Sequence, residues 1–121
     1  MTRVLVVDDS DVIARLLLDL LEHHGYDVTD CSARPRDLLD LNGELWDGID
    51  VLITDLRMPA VSGLELLAHA AAYYPDIYRI ALTGWDDPTQ SDVVRDVAHV
   101  LLRKPDDVLD IPALIEDRPR P

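Results

Sequence analysis

Apolar residues arrive along this chain in short dense runs, separated by stretches where they recur at helical spacing. Arg3-Val4-Leu5-Val6-Val7 is an unalternating, β-branched run of the kind that forms a parallel strand buried on both faces. Asp8-Asp9 end it. Ser10 is placed to cap a helix in which Ile13, Leu16, Leu17, Leu20 and Leu21 share one core-facing stripe, and Gly25 suits the C-terminal stop. Residues 26–31 make a weaker second strand, and 33–41 read as helical, with a Gly-containing connection from Asn42 to Gly48. Val51 to Thr54 is a third strand. Ser62-Gly63-Leu64-Glu65 reads as a capping box that opens a helix closed by Pro75. A fourth strand covers Tyr78 to Leu82, and Asp87-Pro88-Thr89-Gln90 starts a helix running to about Ala98. Val100-Leu101-Leu102 is the fifth strand, a short helix surrounds Pro112 to Glu116, and Arg118-Pro119-Arg120-Pro121 is a polar tail.

Five strands alternating with helices predict an α/β doubly wound parallel sheet with helices on both faces. In such sheets ligands gather outside the carboxyl ends of the strands. The polar residues there are Asp8 and Asp9 after the first strand, Asp55 after the third, Thr83 after the fourth and Lys104 after the fifth. Taken alone, an aspartate closing a strand is an ordinary turn residue. Three carboxylates, a hydroxyl and an ammonium on one rim are not.

Like charges a few ångströms apart raise one another's pKa and cost stability. A hard divalent cation resolves that repulsion, and Mg²⁺ accepts carboxylate oxygens while keeping room for a phosphoryl oxygen. Asp55 can then attack a phosphoryl donor as a carboxylate nucleophile. Lys104 supplies a point charge against the phosphoryl oxygens, and Thr83 a rotatable hydroxyl donor.

Composition narrows the classes. The 121 residues suit one domain, and 48% hydrophobic with 29% charged residues is a globular balance. Eleven basic against 24 acidic residues leave a net charge of -13, which repels nucleic-acid phosphates and anionic lipid. No apolar run reaches the roughly 18 to 20 residues of a membrane span. The N-terminus turns acidic too soon for a secretory leader, and a single cysteine, Cys31, forms no internal disulfide, so a cytoplasmic location is expected.

The chain resembles the receiver domain of two-component response regulators. "VLVVDDS" is similar to that family's first strand and acidic pair, "ITDLRMPAVSGLELL" to its phosphorylation motif, "ALTGW" to its fourth-strand threonine motif and "LLRKP" to its fifth-strand lysine-proline. The resemblance runs from about residue 3 to 116 and implies a flavodoxin-like sheet of order 2-1-3-4-5, with a receiver domain over 1–117 and a tail or linker over 118–121. It implies that Asp55 is the phosphoacceptor. Asp9, Asp55 and the main-chain carbonyl of Arg57 would ligate Mg²⁺, with Asp8 acting largely through a metal-bound water. Thr83 and Lys104 would contact the phosphoryl group, and Lys104-Pro105 would be cis. The implied partners are a sensor histidine kinase or histidine phosphotransfer protein, and a downstream protein or an output domain outside these residues. Homodimerisation through the face of the 87–98 helix, fifth strand and last helix is a further implied possibility.

One position departs from the family. Three residues before the lysine, where relatives usually carry an aromatic that moves with the threonine, stands Leu101; it is either core packing or the sign of a different switching movement. Trp85 either screens the acyl phosphate from water or packs on the following helix, and the Arg57 side chain reaches phosphate or solvent. His23, His24, His69 and His99 read as surface or helix-end residues. Two other functions compete. A Mg²⁺-dependent aspartyl-phosphate phosphatase would need an acid two residues after the nucleophile, where Arg57 stands. A phosphorylation-independent interaction module would be expected to have lost site residues that are all present here. A nucleotide-binding domain is disfavoured because no glycine-rich loop follows the first strand.

Overall fold

The computed structural model describes residues 1–40, 43–84 and 91–120, and of Ser91 only the backbone. Trp85 and the expected helix start at 87–90 lie outside the described residues, as does Asn42. The elements in chain order are β1 (Arg3–Val7), α1 (Asp11–His23), β2 (Asp27–Asp30), β3 (Val51–Asp55), α2 (Gly63–Tyr73), β4 (Tyr78–Thr83), α3 (Ser91–Val97), β5 (Val100–Arg103) and α4 (Ile111–Asp117). The strands form one five-stranded sheet in the order β2-β1-β3-β4-β5, every pair parallel. This is the doubly wound, flavodoxin-like arrangement.

The unalternating strands are explained by two separate cores. Val4, Val6, Ile53, Ile80 and Leu82 face α1 and α4, where they meet Leu17, Leu21, Ile111 and Ile115. Leu5, Val7, Leu52 and Ala81 face the other side, against Leu66, Leu67 and Ala70 of α2 and Val94 of α3. Successive side chains of a strand point to opposite faces, so only a strand apolar at every position can feed both layers.

Ser10 caps α1 as expected, its hydroxyl accepting from the Ile13 amide at 3.4 Å, and Gly25 at φ +85° follows the stop. The buried line of that helix is Ala14, Leu17 and Leu21, while Leu16 is 37% exposed, so the stripe is turned away from Leu16. Small Ala14 lets the helix sit close to the sheet and pushes Leu16 to its flank. The described residues between β2 and β3 hold no α-helix; Leu41, the last residue of the range read as helical, lies outside them. A 3-10 helix, Pro35–Leu39, and a second, Glu44–Trp46, bring Leu38 and Trp46 into the core, joined by a bond from the Trp46 indole to the Leu38 carbonyl at 2.8 Å. Pro35 has no amide to donate, which favours a short helical start there. The tail is not wholly loose, because Arg118 donates to the Ile115 carbonyl at 2.6 Å and to the Thr2 hydroxyl at 3.5 Å. Of the histidines read as surface or helix-end residues, His99 is exposed and His69 is half-buried. His69 lies in an aromatic group with Trp46, Tyr73 and Tyr74, and His99 precedes β5, its Nδ1 accepting the Arg79 amide at 2.9 Å. No helix among the described residues is long and apolar enough to cross a membrane.

Candidate functional site

Strand register assembles the rim. Val7 pairs with Thr54, so Asp8 and Asp55 follow side by side, and Asp55 pairs with Leu82, one residue before Thr83. Thr83 in turn pairs with Arg103, one residue before Lys104, whose amide donates to the Thr83 carbonyl at 2.8 Å. Four strand ends that are far apart in sequence thus finish within two residues of one level.

The side chains converge further. One carboxylate oxygen from each of Asp8, Asp9 and Asp55 lies within 4.8 Å of the other two. Lys104 Nζ is 3.0 Å from Oδ2 and 3.3 Å from Oδ1 of Asp8, and 3.3 Å from Oδ2 of Asp55. Asp8 is 1% exposed and Asp55 5%, whereas Asp9 opens to solvent. Three acids converge where one ammonium contacts only two of them, which leaves an excess of negative charge beside the buried Asp8 and Asp55. Burial, the Asp8 charge and the neighbouring Asp9 carboxyl push the Asp55 carboxyl up to about 6, against the pull of Lys104. Burial alone would lower the Lys104 ammonium, but its contacts with Asp8 and Asp55 raise it above its ordinary value.

The turn after β3 is shaped by contact. Gly63 donates its amide to the Leu56 carbonyl at 3.0 Å, and a Cβ at Gly63 would stand 1.8 Å from the Asp55 carbonyl oxygen. Only glycine lets the start of α2 press against the strand end that carries Asp55. Ser62 caps that helix, its hydroxyl accepting from the Leu64 amide at 3.1 Å. The Arg57 amide lies 3.5 Å from Asp55 Oδ1, and a cavity of about 460 Å³ opens beside it, lined by Asp9, Leu56, Arg57, Met58 and Pro59 among others.

Of the expected site residues, Asp8, Asp9, Asp55 and Lys104 come together directly, and Thr83 adjoins them through the backbone of Lys104. The Lys104-Pro105 peptide is cis. Leu101 lies apart from the carboxylates, half-buried and packed against the α2–α3 core. Trp85 lies outside the described residues. Sequence reasoning missed Ser32, whose hydroxyl accepts the Asp8 amide at 2.9 Å; nothing in the pattern of residues 31–41 marks it. The donor chemistry fits a hard divalent cation, because carboxylate oxygens from three residues meet at one open rim and one buried ammonium does not balance them.

Comparison with known proteins shows the family and the fold. The model of the response regulator receiver domain family matches residues 4–116. The transcriptional regulatory protein FixJ of Azorhizobium caulinodans is 36% identical over 103 residues, 84% of this chain and 47% of its own length. This chain spans less than half the length of the first curated relatives it matches. Among solved structures, a response regulator receiver domain protein from Clostridium thermocellum superposes with a TM-score of 0.83 at 31% identity, covering 97% of this chain and 93% of its own. Response regulator TrrA of Thermotoga maritima, in complex with Mg(2+)-BeF, gives 0.79 at 27% identity, covering 96% and 97%. The chain belongs to the response regulator receiver domain family of two-component signalling.

Proposed function

We propose that this domain is a phosphorylation-activated switch that accepts a phosphoryl group on Asp55. The observation that carries the reading is the buried Asp55 carboxylate, held 3.3 Å from Lys104 and within reach of Asp8 and Asp9. The donor is a phosphohistidine of a sensor kinase or histidine phosphotransfer protein. An Asp55 oxygen bonds to phosphorus as the phosphorus–nitrogen bond breaks, and the imidazole leaves with the electron pair. Asp9, Asp55 and the Arg57 carbonyl are the residues that would hold Mg²⁺, with Asp8 in support; the cation supplies charge neutralisation for the transferred phosphoryl oxygens.

Lys104 already sits between Asp8 and Asp55, so it can follow the negative charge to the phosphoryl group without rearranging its backbone. Thr83, joined to Lys104 through the main chain, offers its hydroxyl to the same group and shifts as it does so. With Leu101 in place of a bulky ring, the readout passes through movement of the β4–β5 ends rather than rotation of an aromatic. The domain is consumed by each transfer and is not a turnover enzyme. Its output goes to a downstream protein or a linked domain, from a cytoplasmic location; the 1–117 unit is the receiver, with 118–121 a tail or the start of a linker. A homodimer through α3, β5 and α4 is one form the output can take.

Intact-mass measurement after incubation with acetyl phosphate tests the reading. The wild type should gain one phosphoryl group with Mg²⁺, and neither the EDTA sample nor Asp55→Asn should gain any. A wild type that gains none while binding Mg²⁺ overturns the proposal in favour of a phosphorylation-independent module.

A further inference from the structure

Two polar side chains from the segment after β2 reach both loops of the site from outside it. The parallel ladder between β1 and β2 ends with the Cys31 amide donating to the Val6 carbonyl at 2.9 Å. The next rung would hand the Asp8 amide to the Cys31 carbonyl. The chain turns there instead. The Cys31 carbonyl accepts the Arg34 amide at 3.2 Å, and the Asp8 amide goes to the Ser32 hydroxyl at 2.9 Å.

Ser32 is itself held, because its amide donates to Asp30 Oδ1 at 2.9 Å. A continuous line of bonds therefore runs from the Asp30 carboxylate through Ser32 to the Asp8 main chain. The Asp8 carboxylate then accepts the Ser10 amide at 2.8 Å and meets Lys104. Four residues beyond Ser32, Arg36 donates from its guanidinium to the Ala60 carbonyl at 2.9 Å, in the loop that also carries Arg57. One short segment thus braces the acidic pair on one side and the loop after Asp55 on the other.

We propose that Ser32 is a positioning residue for the acidic pair, seconded by Arg36, and that its hydroxyl sets how tightly the site takes a divalent cation. This rests on the reading of the rim as a Mg²⁺ and phosphoryl site. Ser32 touches the main chain of Asp8, not the ion. Losing the hydroxyl frees the end of β1 at the point where Asp8 and Asp9 must hold their spacing.

The test is calorimetric titration of the full chain with Mg²⁺, beside amide hydrogen exchange at Asp8 in metal-free protein. Wild type is compared with Ser32→Ala, Ser32→Thr, Arg36→Ala and Val28→Ala, the last a β2 control without a bond to the site. Ser32→Ala should weaken Mg²⁺ binding about three- to tenfold and speed Asp8 exchange. Ser32→Thr should restore both, Arg36→Ala should show the smaller loss expected of an exposed bond, and Val28→Ala should lower Tm without weakening Mg²⁺. Wild-type affinity in Ser32→Ala, or an equal loss in Val28→Ala at matched Tm, overturns the proposal. Failure of the underlying reading looks different: the wild type itself takes up no Mg²⁺, whatever the exchange rate, and the proposal falls with it.

Discussion

The two ends of the sheet use the same residue types to opposite effect. At the amino ends of the strands each arginine is matched. Arg3 pairs with Asp27 at 3.2 Å where both are about half exposed, and its side chain also reaches the Asp47 carbonyl at 3.2 Å. Arg79 donates to the carbonyls of Val97 at 2.6 Å, Ile77 at 3.0 Å and Pro75 at 3.1 Å. At the carboxyl ends, Asp8 and Asp55 are buried with Asp9 beside them, and Lys104 is the cation shared between them. One end is satisfied and structural. The other holds unrelieved repulsion, which is unfavourable for the fold and useful for capturing a cation.

That contrast can be broken most severely at Lys104. Lys104→Met leaves two buried carboxylates without their shared counter-ion and should cost about 3 kcal/mol in urea unfolding of the metal-free protein. A variant as stable as wild type would mean that the repulsion is already screened. Neutralising an acid should act in the other direction. Asp55→Asn keeps the volume and removes a charge whose carboxyl is raised to about 6, so its unfolding free energy near pH 7 should rise by up to about 3 kcal/mol.

The same shift sets a pH dependence. The folded state holds the Asp55 proton more tightly than the unfolded chain, whose aspartate titrates near 3.8. The cost of the ionised group is therefore full above pH 6 and is relieved as pH falls through 6 toward 4. The stability advantage of Asp55→Asn over wild type should shrink across that window and vanish below it. An advantage that stays constant with pH would assign the effect to packing instead. At the amino end the expected changes are losses. Arg79→Met should cost about 1 to 2 kcal/mol through its backbone bonds. Arg3→Ala should cost less than about 1 kcal/mol, because its pair is exposed and screened by salt.

Much of this is legible in the sequence. Val4 to Val7 and Val51 to Ile53 are apolar at every position, a pattern that strands covered on both faces require, and they lie where the sequence puts them. Asp8, Asp55 and Lys104 stand at or just past the carboxyl ends of strand-like runs, so the rule for parallel sheets delivered them to one rim. Residues 33–41 misled, because helical spacing of apolar residues does not separate an α-helix from the 3-10 turns that Pro35 starts. Leu16 misled because its spacing fits the stripe, while small Ala14 decides how the helix rolls against the sheet. Ser32 and Arg36 left no trace at all: a serine and an arginine in a polar stretch become site residues only through register with strands elsewhere.

The sequence by itself determined the alternation of strands and helices, the two-sided burial of β1 and β3 and the polar residues that end four of the strands. These are local properties, written in runs of a few residues. The tertiary structure alone decided the convergence of three carboxylates, the ammonium shared by two of them, the raised carboxyl of Asp55 and the contact that demands glycine at 63. The reason is physical. Residues 8, 55 and 104 are distant along the chain, and their electrostatic energy depends on separations that the register of β1, β3, β4 and β5 sets, while the exclusion at Gly63 depends on how closely α2 folds back on the end of β3.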